Sequence, residues 1–79
     1  MINPIWDAIN KHPLNVHFDS PAGISLRAAV ERKMQSLSKE HKVIWFAIFE
    51  QAALQYGANF KALRYTRLAW ERYYPKATS

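Results

Sequence analysis

The sequence contains no cysteine, only two glycines and no long hydrophobic run. Without cysteine there is no disulfide framework, no thiolate metal site and no thiol nucleophile. There is also no glycine-rich phosphate loop or G-x-S-x-G elbow, and no segment approaches the ~20 apolar residues that span a bilayer. The N-terminal stretch lacks the charged region and apolar run of a signal peptide. We therefore expect a protein that does not cross a membrane and resides in the cytoplasm.

The residues that bind metals or perform catalysis are few and scattered. The three histidines, His12, His17 and His41, include no pair at the i, i+4 spacing that places two imidazoles on one helix face. The six carboxylates form no pair within an apolar run, where a carboxyl group would be tuned for acid or base chemistry. We expect no metal, no other cofactor and no enzymatic activity.

The chain is short and basic. Its 79 residues are 49% hydrophobic, so residues 1–79 are expected to form a single domain close to the lower size limit for a stable core. At this size a homodimer is also expected. Eleven lysines and arginines against six acidic residues give a net charge of +5. This excess favours anionic partners, chiefly nucleic acid.

The pattern of apolar residues predicts a mainly α-helical fold, a small four-helix domain. Asn3 before Pro4 is typical of a helix start, and Pro13 ends that helix. Ser38 is expected to cap a central helix that is apolar on nearly all sides, and Gly57 to end it in the left-handed conformation. The predicted helices cover residues 4–11, 24–37, 39–56 and 59–74.

Two segments interrupt the helical pattern. Residues 14–19 alternate between apolar and polar side chains, which predicts a short strand or extended segment. No second strand follows, so this segment is expected to pair with its copy in a second subunit or to form an extended arm. Residues 20–23, Ser-Pro-Ala-Gly, are interpreted as a linker.

The last predicted helix carries the candidate DNA-binding residues. Its packing face is predicted to comprise Phe60, Leu63, Thr66, Trp70, Tyr73 and Tyr74. The opposite face is basic, and a basic helix fits the major groove of DNA. The candidate contacts are Asn59, Lys61, Arg64, Tyr65, Arg72 and Lys76. The same charges equally suit the solvated face of an ordinary amphipathic helix, and both interpretations stay open.

The residues around the second glycine resemble the C-terminal helix-turn-helix of the Fis-type nucleoid and recombination regulators. The resemblance rests on Ala52-Ala53-Leu54, Gly57, Asn59 and Leu63-Arg64, while Phe60 and Ala62 depart from the family pattern. The segment LRAAVERKMQSL is also similar to that family's first dimerisation helix. The resemblance implies a helix-turn-helix within residues 49–72, DNA contacts at Asn59 and Arg64, and dimerisation through the helices from residue 24 onward.

The order of elements also resembles a ribbon-helix-helix repressor. In that family a strand pairs across a dimer into a ribbon that enters the major groove, and two helices follow. The segment LNVHFDSP, the helix after it and the cap at Ser38 match this order. This second resemblance implies base contacts from Asn15 and His17.

Both resemblances lead us to expect a small basic DNA-binding protein, acting on duplex DNA as a transcriptional regulator or architectural factor. Another class stays open: a small helical adaptor or inhibitor, of the sort that mobile elements encode, which binds another protein through aromatic anchors. The candidate anchors are Trp6, Trp45, Trp70, Tyr73 and Tyr74.

Overall fold

Four helices joined by short connections make up the computed structural model, which describes residues 4–17 and 19–73. They are α1 (Pro4–Asn10), α2 (Pro21–Gln35), α3 (Lys39–Tyr56) and α4 (Phe60–Tyr73). The predicted small, mainly α-helical four-helix domain is confirmed. Three of the residues singled out above, Asn3, Tyr74 and Lys76, lie outside the described part of the chain.

The start of α2 corrects the predicted linker. Ser20 is the N-cap of this helix, because its hydroxyl accepts a hydrogen bond from Gly23 N at 3.1 Å, and Pro21 follows at the first helical position. A capping serine followed by proline signals a helix start as well as a turn, so α2 begins at residue 21 rather than at 24. Ser38 caps α3 as predicted, accepting from His41 N at 3.2 Å.

The core forms around α3, which contacts all three other helices. Trp45 and Phe49 of α3 are buried and stack with ring centroids 5.8 Å apart. Trp70 of α4 and Ile9 of α1 are fully buried beside them in the same cluster. Helix α3 is apolar on most of its sides. The other three helices of the chain cover most of this apolar surface, but not all of it.

Trp6 is the aromatic residue through which α1 packs on α3. The Trp6 ring stacks on Phe46 with centroids 5.8 Å apart and lies 6.5 Å from Phe49. Its indole Nε1 donates a hydrogen bond of 2.7 Å to the Glu50 carboxylate. Since the partner is a carboxylate, this bond is of the stronger, charge-assisted kind.

Helices α3 and α4 form an antiparallel hairpin, which corrects the predicted helix-turn-helix. The rings of His41 and Trp70 meet at 5.4 Å, although they lie about 24 Å and about 16 Å from the turn along their helices. In a helix-turn-helix the two helices cross at about 90–120°, which would leave these positions roughly 20 Å apart or more. Helix α4 therefore packs along the whole length of α3.

Of the two alternatives predicted for residues 14–19, a strand or an extended segment, the strand is not formed: no strand occurs in residues 4–17 and 19–73. The segment instead docks on the turn between α3 and α4. Val16 N donates to Ala58 O at 3.1 Å, and Ala58 N donates to Asn15 Oδ1 at 3.0 Å. The segment thus finds its hydrogen-bond partners within its own chain and does not need a second subunit to supply them. Leu14, one of the apolar residues of the alternating pattern, is 60% exposed.

Gly57 makes this docking possible. It ends α3 as predicted, but with φ 85° and ψ 158°, an extended backbone conformation at positive φ rather than the left-handed helical one. This region is essentially restricted to glycine. A Cβ atom here would lie 2.8 Å from Asn15 N and 2.8 Å from Leu14 C, both backbone atoms. Glycine is thus required by conformation and by space.

We predict that Gly57→Ala destabilises the protein by at least about 3 kcal/mol, because the methyl group would strain the backbone and push residues 14 and 15 off the turn. Urea unfolding followed by circular dichroism measures this loss. Gln55→Ala is the matched control: its side chain is exposed, and the change should alter stability by no more than about 0.5 kcal/mol. Equal stability of Gly57→Ala and the wild type would contradict this role for the turn.

Candidate nucleic-acid interface

The outward side of α4 is a continuous basic face, defined here as Lys61, Arg64, Tyr65, Leu68 and Arg72. All five side chains are exposed, as the helical wheel predicted. Among the described residues, none of the three cations forms an ion pair with a carboxylate. Helix α4 carries four cations and one carboxylate, so much of the net charge of the chain is concentrated here. Unpaired cations on one helix face form an anion-attracting surface.

Aromatic rings support two of these cations. Lys61 Nζ lies 5.0 Å from the ring centroid of Tyr56, which in turn packs against Tyr65 at 5.7 Å. The guanidinium of Arg72 lies 5.9 Å from the ring centroid of Tyr73. Such contacts orient a cation without neutralising it, because the ring offers a quadrupole rather than a charge. The charges thus stay directed at solvent.

An open depression of about 370 Å³ borders the basic face and adds two residues that the sequence interpretation missed. It is lined by Phe60, Leu63, Arg64 and Arg67. Phe60 was assigned to the packing face but is 48% exposed, and Arg67 was not among the candidate contacts. The sequence does indicate that these residues lie together, because residues 60, 64 and 67 have the i, i+4, i+7 spacing that places side chains on one side of a helix. Arg67 also lies 3.9 Å from Glu71, an exposed pair of little energetic weight.

Asn59 has a structural position that argues against its predicted base contact. Its Oδ1 accepts from Lys61 N at 2.9 Å and from Ala62 N at 3.2 Å, which makes Asn59 the N-cap of α4. Its Nδ2 donates to Leu14 O and to Tyr56 O, both at 2.9 Å. Both donors and two acceptor sites of the amide are occupied, so reading a base would require breaking the turn.

The alternative contacts on the docked segment are also engaged within the chain. Asn15 is half-buried; its Oδ1 accepts from Ala58 N and its Nδ2 donates to Val16 O at 3.2 Å. His17 is exposed, and its Nδ1 accepts from Asp19 N at 3.3 Å. Because this segment is docked on the α3–α4 turn, it does not form the ribbon edge that a ribbon-helix-helix protein presents to DNA.

The candidate aromatic anchors are mostly internal. Trp45 and Trp70 are 1% and 0% exposed, and Trp6 is half-buried between α1 and α3. Of the described anchors only Tyr73, at 68%, presents most of its surface to solvent. Trp45 and Trp70 are therefore part of the core and present almost no surface to another protein.

Other binding features of the described residues are limited. A groove of about 500 Å³ lies between α1, α2 and α3, lined mainly by apolar side chains such as Trp6, Val30 and Phe46. No cluster of three or more metal-ligating side chains occurs within residues 4–17 and 19–73. Within the same ranges, no helix combines the length and the apolar character that crossing a bilayer requires.

No protein-family model, curated protein or solved structure matches this chain.

The cap at Asn59 yields a stability prediction. Asn59→Ala should cost about 2 kcal/mol, because two helix N–H groups lose their acceptor and two carbonyls lose their donor. Asn59→Ser should recover about 1 kcal/mol of this loss, since a serine hydroxyl still caps α4. Urea unfolding of the two variants and the wild type measures the difference. Identical stabilities for the alanine and serine variants would show that the cap contributes nothing.

Proposed function

We propose that this chain is a small, cytoplasmic, homodimeric DNA-binding protein of regulatory or architectural type, without enzymatic activity, that contacts duplex DNA through the basic face of α4. The observation that carries the proposal is the set of three exposed cations, Lys61, Arg64 and Arg72, that have no carboxylate partner among the described residues. Cations that are already neutralised by carboxylates cannot release counterions from DNA, whereas unpaired ones can.

The dimensions of α4 suit contact with the DNA backbone. Lys61 and Arg72 are separated by about 16 Å along the helix axis, and a helix fits the ~12 Å width of the major groove. Tyr65 adds a hydroxyl that has no hydrogen bond among the described residues and that reaches the same surface. With Asn59 engaged in the turn, the remaining contacts are mainly of the kind that bind phosphates and position a protein on DNA.

Duplex DNA binding with a steep salt dependence tests this proposal. We expect a fluorescence anisotropy titration to give a micromolar or tighter Kd at low salt that weakens as salt is added. Arg64→Gln should weaken binding and reduce the slope of log K against log salt by about 0.9, the loss of one phosphate contact. Arg32→Gln is the matched control, because Arg32 is an exposed arginine on a different helix, α2, and is not part of the basic face.

Two results would contradict the proposal. One is the absence of binding at low salt. The other is an equal effect of Arg64→Gln and Arg32→Gln on affinity, which would indicate a diffuse charge effect rather than a DNA-binding face.

A second candidate function is supported by one observation on the same face. Leu68 is 52% exposed between the cations, and an apolar side chain there suits an acidic protein partner that has an apolar contact of its own. On this view the chain is an adaptor or inhibitor that binds through α4. Leu68→Ser should then abolish binding of the partner, whereas phosphate contacts with DNA should change less than twofold, on the order of 0.4 kcal/mol.

A further inference from the structure

Helix α3 leaves part of its surface uncovered by the rest of the chain. Val43 is 70% exposed and Ile44 is 36% exposed, and Ala47 and Gln51 are also exposed further along the helix. We define the outer stripe of α3 as Val43, Ile44, Ala47, Gln51 and Leu54; the first four are exposed, whereas Leu54 is half-buried and also packs against the core of its own chain. Two adjacent exposed β-branched residues in the N-terminal part of a central helix indicate a face that lacks its packing partner.

The spacing within the outer stripe is that of a helix–helix seam. Ile44, Ala47, Gln51 and Leu54 recur at intervals of three, four and three residues, an average close to the 3.5-residue repeat of paired helices. The small side chain of Ala47 near the centre allows a second helix backbone to approach closely. The stripe therefore fits a helix better than it fits an irregular peptide or a small ligand.

Charge distinguishes this face from the rest of the surface. Between Val43 and Tyr56 the only charged residue is Glu50, and its carboxylate is bonded to the indole of Trp6. Two copies of a chain with net charge +5 repel each other through the basic face of α4, but the outer stripe carries no formal charge. A second copy can approach here without like charges in contact.

We propose that the outer stripe of α3 is the homodimer interface, with the α3 helices of two copies packed antiparallel about a two-fold axis. In this arrangement Ile44 lies opposite Leu54 of the second copy, and Ala47 lies opposite Gln51 of the second copy. The interface is isologous, as most homodimer interfaces are. This inference rests on the homodimer of the proposed function and assigns its interface, but it does not depend on what the basic face binds.

The size of the interface sets its strength. Helix α3 is about 27 Å long, and a single pair of helices of this length buries less than the ~1,200 Å² of a standard stable interface. We therefore expect a dimer in exchange with the monomer, with a Kd on the order of 10 µM. Such a dimer leaves both basic faces of α4 accessible.

Sedimentation equilibrium from about 1 µM to about 500 µM protein, without DNA, measures this association. The wild type should pass from the mass of one chain to that of two as its concentration rises. Added salt should not weaken the dimer, because the interface has no charge pairs. A mass of one chain throughout this range overturns the proposal, and that outcome is independent of any result on DNA binding.

Ala47→Glu tests the position of the interface. Its two introduced carboxylates would face each other about 6 Å apart along the helix axes, so association should weaken at least about tenfold. Ala28→Glu introduces the same charge at an exposed position of α2 and should leave association unchanged. Circular dichroism should show both variants folded, since both positions are exposed. Dimerisation of Ala47→Glu at wild-type strength, or equal loss in Ala28→Glu, overturns the proposal.

Discussion

The docking of the segment after α1 onto the α3–α4 turn is the contact on which the position of α4 depends. Two asparagine side chains, one from each side of the contact, join the segments: Asn15 Oδ1 accepts from Ala58 N of the turn, and Asn59 Nδ2 of the turn donates to Leu14 O. His12 adds a third tie, since its Nδ1 accepts from Leu14 N and its Nε2 is therefore the donor to Gln55 O at 3.1 Å. The backbone groups at the end of α3 and the start of α4 are satisfied in this way, within the chain itself.

The same contact determines which side of α4 faces solvent. Once the turn is held, α4 returns along α3 and buries the row Ala62, Thr66 and Trp70, which recurs every four residues. Thr66 is tolerated there because its hydroxyl donates to Ala62 O at 2.7 Å. The small residues of this row allow close packing of the two helices, and the basic face is left on the opposite side. The fold therefore accounts for the exposure of the cations, and the function we propose follows from that exposure.

Local signals predicted the number of helices, the cap at Ser38 and the helix end at Gly57, because each depends on the conformational preference of one or two residues. The role of Asn59 could not be predicted in this way. An asparagine amide can form hydrogen bonds with adenine, but it can equally cap a helix. In addition, the Asn59 amide donates to the carbonyl of Leu14, which is 45 residues away in the chain. The sequence could not decide between a strand and an extended segment at residues 14–19 for a related reason. Alternation indicates a half-buried extended segment, but not whether its hydrogen-bond partner is a second strand or a turn. The exposure of Phe60 could not be predicted either, because the spacing of apolar residues does not show that the buried face of α4 is centred on Ala62, Thr66 and Trp70.

The function we propose requires that the basic face of α4 contacts duplex DNA. Amide chemical-shift mapping by NMR, with a short duplex added to ¹⁵N-labelled protein, measures this contact residue by residue. We expect the largest shifts at Lys61, Arg64, Tyr65, Leu68 and Arg72, with little change along α1 and α2. Shifts centred on residues 14–17, on the outer stripe of α3 or on the groove between α1 and α2 would contradict it.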